Sequence, residues 1–236
     1  TAMKGFAEII KVFDVVAMKA CATSAMRDAS NGADIIARIK KEAGITVEII
    51  DGKTEAATIF SNHVEELMDP KQAYLYIDVG GGSTELTLIS NRKVLASKSF
   101  NVGTIRMLCN KVEKEDWEDF KTWVKKNTAG IKPLTAIGSG GNINKLYKMS
   151  GKKDNKHLSY DKIKDLHDML NAYTYDERVT VLGLNPDRAD VILPATKIVI
   201  SAMKHGDIDK ILVPQIGLSD GIIHQLYEEH IANRKN

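Results

Sequence analysis

The chain has 236 residues, 43% of them hydrophobic and 27% charged, and its 33 basic and 31 acidic side chains leave a formal net charge of only +2. Such a balance suits a globular chain of one large domain or two modest ones, and it excludes nucleic-acid binding through bulk charge, so any anion site must be local. No apolar run approaches the roughly 20 residues that span a bilayer, and the widely separated Cys21 and Cys109 read as reduced packing thiols of a cytoplasmic protein.

Phe6, Ile9, Ile10 and Phe13 recur at helical spacing and predict a helix at the start, over Ala2–Val16. Lys19–Ser24 then reads as a buried strand, Ala33–Ala43 as a helix, Val47–Ile50 as a strand and Lys53–Met68 as a second helix. Asp69 and Pro70 break the pattern and mark a domain boundary. Beyond it Ala73–Val79, Thr84–Ser90 and Val94–Val102 predict three strands joined by short turns at Gly80–Ser83 and Asn91–Lys93, a meander rather than a βαβ unit. Helices follow over Thr104–Lys111 and Lys114–Asn127, then a strand at Leu134–Gly138, a set of helices to His205, a strand at Lys210–Val213 and a last helix over Leu218–His230. The fold class is therefore α/β.

The segment Tyr76-Ile77-Asp78-Val79-Gly80-Gly81-Gly82-Ser83-Thr84-Glu85-Leu86 carries the densest chemistry. A hydrophobic strand ends in a carboxylate, three glycines follow, and two hydroxyls and a second carboxylate open the next strand. Three glycines let backbone N–H groups turn inward as a nest for a phosphate oxyanion, with Ser83 or Thr84 adding a hydroxyl donor. Asp78 and Glu85 flank that nest and suit a magnesium ion, bound directly or through its waters. A plain Gly-rich hairpin is the bland alternative. The loop lacks the lysine of a Walker motif. A second glycine cluster, Gly138-Ser139-Gly140-Gly141-Asn142, sits before a predicted helix, where N–H groups and the dipole favour an anion. Seven lysines between Lys145 and Lys164 (145, 148, 152, 153, 156, 162 and 164) form either a solvated surface or a track for a polyanion.

These residues resemble the exopolyphosphatase/guanosine pentaphosphatase (Ppx/GppA) family. Asp78–Leu86 looks like its signature loop, Ala22–Asn31 its upstream strand–turn, Asp51-Gly52-Lys53-Thr54-Glu55-Ala56 its Gly-x-Glu-Glu-Ala helix start, and Gly103 with Arg106 its segment after the meander. Gly138–Asn142 resembles its second phosphate loop, and Leu218-Ser219-Asp220-Gly221 the motif that opens its final helix. The order of elements after Ala73 is also that of one lobe of an actin-like, ribonuclease-H-like fold, a fold that hosts kinases, chaperones and phosphatases alike.

The resemblance implies a two-lobed actin-like α/β fold. Residues 1–70 with the closing helix 218–232 would belong to the first lobe and residues 71–217 to the second. It enters midway through the first lobe, so the opening strands and first phosphate loop are expected to lie outside this sequence, and the chain by itself is expected to bind phosphate poorly. It implies a phosphohydrolase that releases the terminal phosphate of polyphosphate or guanosine pentaphosphate with Mg2+ held by Asp78 and Glu85, and also a homodimer. Glu55 becomes the general base, although a first-turn glutamate is equally a helix-dipole residue. Arg27 becomes a phosphate ligand, where alone it reads as a surface arginine paired with Asp28 or Glu42. Gly80, Gly81, Gly82, Ser83 and Thr84, with Gly138, Ser139, Gly140, Gly141 and Asn142, become the phosphate loops. Thr54 stands where the family has its first glutamate, and Ser139–Asn142 where Ala-Ser-Gly-Thr is typical, which bears on substrate preference. A non-catalytic polyphosphate- or nucleotide-binding module is the alternative, and an actin-like small-molecule kinase a more distant one.

Overall fold

The computed structural model describes residues 1–52, 54, 58, 68–152, 157–214 and 218–235. Two compact units divide the chain: Thr1–Asn62 with Leu218–Asn236, and His63–Gly217.

In the first unit the amphipathic start folds as helix α1 (Ala2–Val12), shorter than its periodicity suggests. Strand β1 (Ala20–Ala22) stops before Thr23, which opens the short helix α2 (Ser24–Asp28), so Ser24 is helical rather than the strand end that its small neighbours suggest. Helix α3 (Gly32–Ala43) ends at Gly44, whose φ of 69° closes the helix in the left-handed conformation that glycine adopts without strain. Strand β2 (Val47–Ile49) pairs parallel with β1, Cys21 opposite Glu48. The expected helix over Lys53–Met68 falls largely outside the described residues, though Gly52, Thr54 and Thr58 are helical. Helix α11 (Leu218–Lys235) closes the chain.

The second unit is built on a six-stranded sheet ordered β5-β4-β3-β6-β8-β7. Strands β3 (Ala73–Val79), β4 (Thr84–Ser90) and β5 (Lys93–Phe100) form the antiparallel meander. Asn91 and Arg92, with φ of 48° and 58°, make the two-residue turn between β4 and β5, a backbone hand that matches strand twist. Helices α4 (Thr104–Leu108) and α5 (Lys114–Thr128) follow, and Glu113 with Asp116 forms a reciprocal cap at the start of α5. Strand β6 (Leu134–Ser139) returns parallel beside β3 and leads into α6 (Gly141–Met149). The sheet is completed by β8 (Lys210–Leu212), parallel to β6, and by β7 (His157–Ser159), antiparallel to β8.

Strand β7 is absent from the sequence reading because three residues inside a lysine-rich stretch carry no alternation to detect. It leads into α7 (Tyr160–Asn171), capped by Ser159, and then into α8 (Tyr175–Thr180), α9 (Pro186–Ala189) and the largely apolar α10 (Ile192–His205). The described members of the lysine run are thereby divided between α6, the following turn and α7 rather than lined along one helix face.

Burial explains the centre. Leu75, Ile77, Leu86 and Leu88 of the meander pack with Phe120 and Val124 of α5 and with Ile198, Val199 and Ala202 of α10. The Phe100 and Phe120 rings meet edge to face at 5.1 Å. This packing fixes the ends of β3, β4 and β6, where the candidate residues stand.

Candidate active site

Strand register places a row of four polar residues side by side. In the ladders Ser139 of β6 is opposite Asp78 of β3, Asp78 is opposite Glu85 of β4, and Glu85 is opposite Ser99 of β5. Residues directly opposite share a face, and in antiparallel pairs their Cα atoms lie about 4.5–5.5 Å apart. Two carboxylates therefore stand together between two hydroxyls. Glu85 is only 4% exposed, and its Oε1 accepts hydrogen bonds from Ser83 Oγ at 2.7 Å and Ser99 Oγ at 2.8 Å. Burial, reinforced by the charge of Glu85, pushes the Asp78 carboxyl up to about 7, while a hydrogen bond from Ser139 opposes the shift. Among the described residues no salt bridge reaches either carboxylate.

The loop between β3 and β4 is held by α4. Gly80 O accepts from Thr104 N (3.0 Å), Gly81 O from the amides of Ile105 and Arg106 (2.8 and 3.1 Å), and Gly82 O from Arg106 Nε (2.8 Å). A trans peptide carries its C=O and the next N–H on opposite sides. With three successive carbonyls turned to α4, the amides of Gly81, Gly82 and Ser83 point away from it, and among the described residues they donate no hydrogen bond. These amides are the donors that an anion nest would use. Gly103 lets the loop lie so close. A Cβ there would overlap Gly81 O and Gly82 C and would sit 2.5 Å from Ser83 N.

The hydroxyls differ from expectation. Ser83 donates to Glu85, and the fully buried Thr84 donates to the Val102 carbonyl. The Val102 carbonyl, just beyond β5, and the Glu85 carboxylate hold these donors, so the backbone amides are the groups the loop offers to an anion.

At the second loop Ser139 is hydrogen-bonded to Asp78, and Gly138 is small because Ile211 and Ile143 occupy the space a side chain would need. Gly140 adopts φ 99°, a conformation costly for other residues, and its missing Cβ would stand 3.4 Å from Asp78 Oδ1. Gly141 opens α6. The Arg188 guanidinium lies against it, 2.5 Å from an ideal Cβ position, with Nη1 3.4 Å from Asn142 Oδ1. Arg188 is missing from the sequence reading. Pro186 at the start of a four-residue helix was the available signal, but nothing in the chain ties Arg188 to a loop 46 residues earlier.

In the other unit, Arg27 Nη1 donates to Ile50 O at 2.8 Å. Glu42, one partner suggested for it, is paired instead with Lys4 and Arg38. Arg27 thus braces the end of β2, just before the Asp51–Ala56 helix start, where Asp51 Oδ1 accepts from Thr54 N at 2.6 Å. Glu55 itself lies outside the described residues. Gly221 of α11 packs on Thr58, where a Cβ would overlap the Thr58 carbonyl oxygen.

The second unit offers two neighbouring carboxylates against which a divalent cation can be tested. No group of three or more His, Cys, Asp or Glu that could hold a metal occurs among the described residues. The Asp78–Glu85 pair nevertheless fits magnesium, which commonly takes one or two carboxylates and completes its shell with water and substrate phosphate. Glu85 Oε2 makes no hydrogen bond among the described residues, although the residue is buried.

The chain is also similar to known proteins. Over 214 residues the chain is 29% identical to a bifunctional 3-dehydroquinate synthase/phosphatase of Fusobacterium nucleatum, covering 82% of this chain and 32% of that protein. It is 23% identical to a guanosine-5'-triphosphate,3'-diphosphate pyrophosphatase of Vibrio parahaemolyticus, covering 95% of this chain and 48% of the relative. The chain thus spans half or less of the length of these curated relatives. Among solved structures, an exopolyphosphatase from Cytophaga hutchinsonii superposes with a TM-score of 0.81 at 27% identity, over 97% of this chain and 80% of the other. The α/β, actin-like fold expected from the strand order is therefore correct. Residues 1–230 match the Ppx/GppA phosphatase family, and the chain belongs to it.

Proposed function

We propose that this chain is the catalytic part of a phosphohydrolase that releases the terminal phosphate of inorganic polyphosphate or guanosine pentaphosphate. The observation that carries this reading is the buried Asp78–Glu85 pair, which no cation of the described residues compensates, beside three amides that donate no hydrogen bond among the described residues. Two carboxylates without a cation repel a phosphate, and three amides without a partner attract one. A divalent cation together with a phosphoryl group satisfies both.

Phosphoryl transfer asks the protein mainly for positioning and electrostatic stabilisation. The amides of Gly81, Gly82 and Ser83 bind oxygens of the terminal phosphoryl group, and the α6 N-terminus with Arg188 binds oxygens further along the substrate. Asp78 and Glu85 would hold magnesium, which would supply neutralisation of the charge on the phosphoryl oxygens. Glu55 takes a proton from water as its oxygen bonds to the terminal phosphorus, and the phosphoanhydride P–O bond breaks to leave the shortened chain. Arg27 supports the segment that carries Glu55. A cytoplasmic location is part of the same proposal; among the described residues no helix is long and apolar enough to cross a membrane.

The test is phosphate release by the full-length protein from long-chain polyphosphate and from guanosine pentaphosphate, with and without magnesium. Release from either supports the reading, and the ratio of rates names the preferred substrate. Binding without release from both, unchanged in Glu55→Gln, would make this a binding module. Arg188→Lys keeps the charge but loses the planar fork, and is expected to raise KM about 10-fold with little change in kcat. Steady-state kinetics on polyphosphate would check this.

A further inference from the structure

We infer that Ser99 is a positioning residue, which with Ser83 pins one carboxylate oxygen of Glu85 so that the other stays available to a divalent cation. The inference rests on the cation reading above and extends it to a residue outside both glycine loops.

The geometry is specific. Ser83 lies two residues before Glu85, in the loop, and Ser99 directly across the ladder on β5, so the two hydroxyls reach the carboxylate from different elements. Both donate to the same atom, Oε1, at 2.7 and 2.8 Å. Oε2 has no hydrogen-bond partner among the described residues. A glutamate has three side-chain torsions, and one donor leaves the carboxylate free to turn about the bonded oxygen. Two donors converging on Oε1 fix the plane, and with it the direction of Oε2. The donors are also neutral. A lysine or arginine in place of Ser99 would cancel the charge that a cation has to find, whereas a hydroxyl orients the carboxylate and leaves its charge intact.

The other end of the row repeats the arrangement, since Ser139 hydrogen-bonds Asp78 from β6. Each carboxylate is thus oriented by a hydroxyl from its outer neighbour strand. Hydrogen-bond partners of metal ligands commonly contribute 10- to 100-fold in metal affinity.

Isothermal titration of Mn2+ into the full-length, substrate-free protein tests the idea. Ser99→Ala is expected to weaken Mn2+ binding about 10-fold, and Ser99→Thr, which keeps the hydroxyl, to stay within about 2-fold of wild type. Ser97→Ala is the control. Ser97 lies on the same strand and face and shares a 2.9 Å hydrogen bond with Thr87, not with Glu85, so its loss is expected to leave Mn2+ affinity unchanged. Wild-type affinity in Ser99→Ala would overturn the role of Ser99 while leaving the cation site standing, as would an equal loss in Ser97→Ala. Absence of saturable Mn2+ binding by the wild type would remove the cation reading and this inference together.

Discussion

Asp78→Asn is expected to yield a protein that melts at higher temperature above neutral pH and no longer releases phosphate. Burial and the adjacent Glu85 raise the Asp78 carboxyl from 3.8 to about 7. Its folded pKa is thus above its unfolded pKa, and between these two values the native state holds a proton that the unfolded chain has released. The group's contribution to stability is complete below the unfolded pKa, falls as pH rises through the window, and stays at its low value beyond the folded pKa. Asparagine is neutral in both states and avoids that fall. Each pH unit inside the window is worth about 1.4 kcal/mol, so the advantage of the variant should grow by roughly 2–3 kcal/mol between pH 5 and pH 8. Calorimetry in chelator should show a melting temperature of the His63–Gly217 unit that gains several degrees on wild type over that interval. Turnover in the same variant should fall more than about 100-fold, the scale of losing one well-placed electrostatic group. An advantage that is absent or reversed at pH 8 would mean that the carboxylate is compensated in the folded protein. A site that lowers the stability of its own fold is a common consequence of function.

The same residues show what can be read from a sequence here. Asp78 and Glu85 were legible because they bracket a loop only six residues long, and strand alternation alone puts them on one face. The meander was legible because three β-like runs are separated by short turns that hold Gly, Ser and Asn. Ser99 and Arg188 were not. Ser99 reaches Glu85 through a register that depends on the turn at Asn91–Arg92 and on an irregularity between Leu88 and Ile89. Arg188 depends on how α9 docks beside α6. Both belong to tertiary pairing, which periodicity does not encode. Hydroxyl use was also beyond the sequence: Ser83 and Thr84 were expected to donate to phosphate, yet a buried carboxylate and an open-ended carbonyl claim them first. Conversely, three glycines suggested inward-turned amides, and among the described residues those amides donate no hydrogen bond while α4 takes the carbonyls.

That arrangement makes Gly103 the most sensitive small residue of the loop. Gly103 has φ −132° and ψ 161°, an extended conformation that alanine adopts without strain, so any cost of Gly103→Ala comes from contact rather than from the backbone. The contact is severe, because the new methyl would overlap Gly81 O and Gly82 C. Backbone cannot rotate aside as a side chain does. The loop has to lift from α4, giving up the bonds from Thr104 and Ile105 and from the Arg106 side chain. The expected destabilisation is about 1–3 kcal/mol, as for an overpacked core position, and turnover should drop more than about 100-fold because the amides of Gly81, Gly82 and Ser83 lose their common direction. Mn2+ binding should survive, weakened about 10-fold at most, since the ladder holds the Asp78 and Glu85 backbones and Ser99, whereas Ser83 moves with the loop. Gly5→Ala is the control: nothing lies within 4 Å of that position, and it sits inside α1, where alanine favours the helix by roughly 0.5–1 kcal/mol. Loss of turnover with retained Mn2+ binding in Gly103→Ala would separate the anion nest from the cation site as two physically distinct halves of one phosphate-handling centre. Retained turnover would show that the free amides are not what holds the phosphoryl group, and would shift that work to the α6 N-terminus and Arg188.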